Sequence, residues 1–176
     1  MKLYITRHGE TAWNAEYKIL GRTDIPLNEK GRAQAAELAE KMKDIELDLI
    51  FCSPLSRAKE TAETIAAVKG MSVIEDARLM EIDFGDFEEA PRFCDEYQNA
   101  KRDYFKKYPN GESFFDIAYR VYDFLYEIKR TYPDKKILVA SHGGVCRIIC
   151  NFFRDMDNEE FVMHAFPNCG LEEFDF

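Results

Sequence analysis

Apolar and polar positions follow two regimes along the 176 residues. Four short, mostly apolar runs, Leu3–Thr6, Leu47–Phe51, Ser72–Ile74 and Lys136–Ala140, are each bounded by turn residues, as buried strands are. Between them the apolar positions recur at helical spacing. Asn28 is placed to cap a helix over 29–43, whose stripe is Ala33, Ala36, Leu38, Ala39 and Met42. Ser53-Pro54 reads as the N-cap and first position of a second helix. Residues 91–132 read as mainly helical cover, broken at Tyr108-Pro109-Asn110-Gly111. Ser113 and Asp116 behind the break have capping-box spacing. A last helix is expected over Val145–Phe153, and Phe161–Phe166 and Gly170–Phe174 read as edge strands. Strands alternating with helices predict an α/β fold, a three-layer α/β/α sandwich on a mainly parallel sheet with right-handed crossovers. No repeat or linker divides it, so one domain over 1–176 is expected.

The long connection at 7–27 changes this picture, because a loop of that length in a compact domain is usually functional. It opens with Arg7-His8-Gly9, directly after the first strand. Strand two leads within one helical turn to Arg57, and strand four ends at His142-Gly143. Parallel strands present their carboxyl ends at one edge, where ligands bind in open α/β sheets. Two guanidiniums, two imidazoles and the free amides of helix N-termini suit a phosphoryl group. A neutral imidazole can attack phosphorus, and neighbouring arginines oppose its protonation. An acid for the leaving oxygen is also needed, and Glu81, in the turn after the third strand, is the best-placed carboxylate.

Charge and cysteines narrow the class. A net charge of −9 supplies no basic field for nucleic acid or a membrane surface. No signal segment or membrane span is visible, and five scattered cysteines suit reduced thiols, so a cytoplasmic location is expected. Cys146 and Cys150 read as core packing rather than metal ligands, and His164 as structural. Cys52 and Arg57 stand one residue closer than a cysteine phosphatase loop requires. Ser141 lacks the Gly-x-Ser-x-Gly elbow of a serine hydrolase.

Taken together, Arg7-His8-Gly9-Glu10-Thr11 with Asn14, Gly21-Arg22-Thr23-Asp24-Ile25-Pro26-Leu27, Ser53-Pro54-Leu55-Ser56-Arg57-Ala58, the Glu81 turn and Ser141-His142-Gly143-Gly144 resemble, in order, the motifs of the histidine phosphatase superfamily, with its phosphoglycerate mutase-like fold. The resemblance covers nearly the whole chain. It implies His8 as the phosphorylated nucleophile and Glu81 as the proton donor. Arg7, Arg57 and His142 would bind the phosphoryl group, with Asn14 and the Gly143 amide as lesser contacts. It implies no metal and no cofactor, a small phosphorylated metabolite as partner, and a monomer or homodimer. The compact span from Glu81 to His142 favours a phosphatase over a mutase, and the presence of nucleophile and acid argues against a non-catalytic phospho-ligand binder. One departure stands out. Where the family commonly reads Phe-Gly-x-x-Glu-Gly, this chain has Phe84-Gly85-Asp86-Phe87-Glu88-Glu89, with no final glycine.

Overall fold

The computed structural model describes residues 1–176 and is built on a five-stranded sheet in the order β3-β2-β4-β1-β5. The central neighbours are β1 (Lys2–Arg7) and β4 (Lys136–Ser141), parallel and in register from Lys2 opposite Lys136 to Arg7 opposite Ser141. β2 (Leu49–Cys52) lies parallel on the other side of β4, followed by the two-residue β3 (Ile74–Glu75). β5 (Leu171–Asp175) closes the far edge, antiparallel to β1.

The near-continuous apolar runs have the expected cause, since both sheet faces are covered. Side chains alternate between faces along a strand. Tyr4, Ile50, Leu138 and Ala140 meet Leu38, Ala39, Met42, Ala62 and Ile65 on one face. These come from α2 (Glu29–Lys41) and its C-cap, and from α3 (Ser56–Lys69). Leu3, Ile5, Phe51, Ile137 and Val139 meet Ile117, Val121, Phe124, Val145, Ile148 and Ile149 on the other, from α5 (Phe114–Thr131) and α6 (Gly143–Phe153). Each such Leu, Ile or Phe, fully buried, contributes about 1.5–3 kcal/mol of transfer free energy. The result is a mixed α/β fold with a mostly parallel sheet between two helical layers. No helix is long and apolar enough to cross a membrane.

Two caps stand where expected. The Asn28 side-chain oxygen Oδ1 accepts from Gly31 N–H at 2.8 Å. Ser113 and Asp116 form a reciprocal box, with Ser113 N–H donating to the Asp116 carboxylate at 2.8 Å and Asp116 N–H to the Ser113 hydroxyl at 3.2 Å. Other elements differ. The long loop contains a one-turn helix, α1 (Ala12–Ala15), capped by Thr11. Ser53 does not cap α3, which starts at Ser56 behind Leu55; its hydroxyl instead accepts from Leu55 N–H at 3.3 Å and pairs with His142. The 91–132 cover is helical only at α4 (Asp95–Ala100) and α5; the segment between them is irregular, packed through Tyr97, Tyr104, Tyr108 and Phe114. Phe161–Phe166 is no strand: α7 (Asn158–Met163) runs into it, started by a capping box between Asp157 and Glu160.

The position that lacks the family's glycine has a distinct backbone. Glu89 adopts φ +68°, a left-handed conformation that glycine enters freely and other residues at a cost. Its N–H donates to the Ile19 carbonyl at 2.9 Å, fastening this turn to the long loop. The preceding Glu88 carboxylate accepts from the amides of Gly21, Arg22 and Thr23. The turn is therefore held as a glycine would hold it.

Candidate active site

The register of β1 and β4 brings the two strand-end histidines together. Arg7 pairs with Ser141, and the next residues, His8 and His142, have ring centroids 5.2 Å apart. Both rings are buried. His8 Nδ1 lies 2.6 Å from the Gly9 carbonyl oxygen. A carbonyl only accepts, so Nδ1 carries the proton and Nε2 keeps its lone pair. Burial, reinforced by the charges of Arg7 and Arg57, holds the His8 pKa well below the ordinary imidazole value. His142 Nε2 lies 2.8 Å from the Ser53 hydroxyl, while its Nδ1 is buried without a partner. Its pKa is also lowered well below the usual range, by burial and then by Arg57, His8 and Arg7.

The arginines divide the work. Arg7 donates from Nη1 to the Phe166 carbonyl at 2.9 Å, and its Nε is unpartnered. Burial and the nearby Arg92 cation lower its pKa to about 10, which leaves it charged at neutral pH. Arg57, fully buried, donates to the carbonyls of Thr23 (3.0 Å) and Gly21 (2.6 Å), and its Nε too is unpartnered. Loop 21–23 is thus clamped twice, its amides by Glu88 and its carbonyls by Arg57.

Glu81 is 6% exposed. One carboxylate oxygen accepts from Ile82 N–H, and the other from Gly144 N–H in the first turn of α6, each at 3.0 Å. A methyl group on Gly144 would sit 2.4 Å from the first oxygen, so this approach needs glycine. The backbone ahead of the carboxylate is fixed from α5, where Arg120 donates to the carbonyls of Arg78, Met80 and Glu81 and pairs with Glu112. Glu112 in turn accepts from Asp83 N–H at 2.9 Å.

One cavity of about 280 Å³ gathers much of this. Of the residues singled out from sequence, Arg7, His8, Asn14, Glu81 and Gly143 line it. Arg57 and His142 are fully buried and stand outside that lining; the Arg57 charge lowers the His8 pKa, and the His142 ring meets the His8 ring edge-on. The segment from Phe93 contributes Phe93, Tyr97, Gln98 and Lys101 to the mouth. Arg92, Arg147 and Asn168 were not singled out from the chain. Arg147 carried a signal, since it lies four residues after Gly143 and so on the same helix face. Asn168 carried none; it arrives from the tail and donates to the His8 carbonyl at 2.9 Å. Away from the cavity, Cys150, His164 and Glu172 bring ligand-type atoms within 4.8 Å of one another. Arg154 pairs with Glu172 there.

Comparison with known sequences decides the family. The model for the histidine phosphatase superfamily (branch 1) matches residues 3–176. The chain belongs to this superfamily. Among relatives, an uncharacterized phosphatase, PhoE, of Bacillus subtilis (strain 168) is 40% identical over 140 residues, covering 80% of this chain and 70% of its own. A probable phosphoglycerate mutase, GpmB, of Cronobacter sakazakii is 36% identical over 183 aligned positions, covering 100% of this chain and 85% of its own. Among solved structures, YhfR of Bacillus stearothermophilus superposes with a TM-score of 0.85 at 30% identity, covering 99% and 90% of the two chains. A mycobacterial glucosyl-3-phosphoglycerate phosphatase has the same fold, with a TM-score of 0.87 at 24% identity over 98% and 88%. Membership of the histidine phosphatase superfamily makes this a phosphatase-type enzyme, of a group that includes phosphatases and mutases.

Proposed function

We propose that the protein hydrolyses small phosphomonoesters through a phosphohistidine on His8. The observation that carries this reading is the His8 ring itself. Its Nδ1–H is tied to a backbone carbonyl, its Nε2 is unprotonated, and it shares one cavity with an arginine and a buried carboxylate. Nε2 attacks phosphorus as the bond to the ester oxygen breaks, and protonated Glu81 gives its proton to that oxygen. The Glu81 carboxylate then takes a proton from water, whose oxygen attacks phosphorus and breaks the P–N bond. Arg7, through its free Nε, the Gly143 amide at the α6 N-terminus and Asn14 face the phosphoryl oxygens, with Arg57 and His142 as the charged and polar backing.

Rapid-quench labelling with a phosphomonoester tests this. Base-stable, acid-labile phosphate on the protein is expected, lost in His8→Ala together with phosphate release. Full phosphate release by His8→Ala would refute the nucleophile. The 36% identity to a probable phosphoglycerate mutase gives a second reading, transfer of the same phosphoryl group back to a glycerate hydroxyl. Incubation with 3-phosphoglycerate and 2,3-bisphosphoglycerate separates the two: isomerisation without phosphate release would replace the phosphatase reading.

A further inference from the structure

α5 carries two apolar faces. Its inner side, with Ile117, Val121, Phe124 and Ile128, is packed into the core. On the opposite side stand Phe115, Tyr119, Tyr122 and Tyr126, separated by four, three and four residues, the spacing of a coiled-coil seam. At about 100° per residue these four directions fall within a sector of about 60°. The seam is open to solvent: Tyr119 is 79% exposed, and Phe115 and Tyr126 are each 60% exposed. Neighbours extend it. Phe105, 77% exposed, stacks on Phe115 with ring centroids 4.9 Å apart, and Phe152 of α6 meets Tyr122 and Tyr126 at 4.9 and 5.4 Å. In the other helical layer α2 turns Glu, Lys, Arg and Ala outward, as an ordinary surface helix does. A helix apolar on both sides calls for cover on both.

We propose that this face pairs with the same face of a second copy of the chain, across a two-fold axis that sets the two α5 helices antiparallel. Phe115 then lies against Tyr126 of the other copy, and Tyr119 against Tyr122. Area supports the pairing. At exposures of 60–79%, Phe105, Phe115, Tyr119 and Tyr126 offer about 100–200 Å² each, about 400–700 Å² together. With the accessible parts of Tyr122 and Phe152 the patch approaches the roughly 800 Å² per partner of a stable complex, and it exceeds what soluble monomers usually leave contiguous. Charge selects the copy and its direction. Asp123 and Glu127, along one flank, are neutralised by Arg78. The remaining charges beside the seam lie at opposite ends. Asp116 is in the first turn, met by Lys107, while Lys129 and Arg130 are in the last turn, where neither forms an ion pair. Antiparallel pairing brings the free cations of each copy toward Asp116 of the other and opposes the two helix dipoles; parallel pairing would set like on like. A two-fold contact uses one patch on both copies, and this seam is complementary to itself.

Sedimentation velocity over about 1–100 μM covers the affinity expected of an interface at the small end of the stable range. The wild type should sediment as a dimer in the upper part of that range; a monomer throughout overturns the proposal. Tyr119→Lys and Tyr126→Lys each place a cation in the seam without touching the core. Each should weaken the dimer about 100-fold or more, since a substitution enters a two-fold interface twice. Circular dichroism and thermal melts check that both variants fold as the wild type does. A dimer equally strong in both variants would mean that another face pairs, and overturns the proposal as well. Direction is read from the double variant Lys129→Glu, Arg130→Glu. Loss of the pairs between copies should weaken association about 3- to 10-fold, and added salt should weaken the wild-type dimer to a similar extent. Association indifferent to both the charge reversal and salt refutes the antiparallel arrangement. No reading here depends on turnover, so failure of the pairing and failure of the phosphatase reading are distinguishable.

Discussion

Gly144 offers a perturbation that separates chemistry from folding. Gly144→Ala places a methyl carbon 2.4 Å from one Glu81 carboxylate oxygen and 3.3 Å from its carboxyl carbon. Non-bonded carbon and oxygen settle no closer than about 3.2–3.5 Å, so the carboxylate must retreat by about 1 Å. A displacement of that size costs on the order of 10²-fold in rate. Stability responds differently. Gly144 lies in the first turn of α6 without a positive φ, so alanine adds up to about 1 kcal/mol of helix propensity. Weakening one amide-to-carboxylate hydrogen bond removes a comparable amount, about 1.5–3 kcal/mol at most. The melting temperature should therefore shift by only a few degrees, about 2–4 °C per kcal/mol at this chain length. Steady-state phosphate release from an alkyl phosphomonoester, whose leaving oxygen needs the proton, paired with thermal melts, reads both quantities. An unchanged kcat in a folded Gly144→Ala protein would show that Glu81 is not held where the reaction needs it. A double variant with Glu81→Asp adds a second check. The shorter side chain relieves the overlap, so the two losses should combine to less than their product; full multiplicativity would refute the steric explanation.

Glu89→Gly should raise stability. Relief of a left-handed non-glycine residue is worth about 1–2 kcal/mol, less about 0.5–1 kcal/mol for the freer unfolded chain, so a gain near 1 kcal/mol in urea unfolding is expected. A melt lowered by the change would contradict the strain at that turn. Arg120→Met removes the donors that hold the Arg78, Met80 and Glu81 carbonyls, and Arg120 acts as a positioning residue. Its kcat should fall while KM stays near the wild-type value, whereas a parallel loss in both with a lowered melting temperature would indicate a purely structural role. Acid should destabilise the fold through the histidines. Their folded pKa values lie below the unfolded value near 6.5, so below that pH the unfolded chain binds more protons and stability falls with falling pH. The slope of melting temperature against pH between about 5 and 6.5 should flatten in His142→Gln; an identical slope would mean that His142 is not held neutral.

Local chemistry made some of this visible in the chain. β1 and β4 were legible because both faces are buried and their apolar runs end abruptly at charged or polar residues. Arg7, His8 and His142 were legible for the same reason, as chemical side chains at strand ends. Asn28 and Ser113 cap as local rules require. The misses are tertiary. Ser53 has the form of a cap, but its hydroxyl pairs with His142, far along the chain, and with Leu55 N–H. Residues between α4 and α5 carry helix-forming Lys and Arg, yet packing among Phe84, Phe87, Tyr97 and Tyr108 shapes them instead. In the tail, the apolar run from Phe161 suggested a strand, although Asp157 and Glu160 already carried the helix-start signal. Arg92 showed nothing along the chain; it joins the site only through the cavity that the fold builds.

The in-register pairing of β1 with β4 also bears on how the enzyme can fail. His8 and His142 follow directly on the two strands at the middle of the sheet, each with neighbours on both sides and core beneath both faces. Their 5.2 Å approach has no hinge of its own. Separating the rings means sliding one central strand past the other, which would move every inward side chain of that strand out of place. The approach of the two histidines and global cooperativity are then one property: under denaturant, their pairing should persist until the sheet itself unravels.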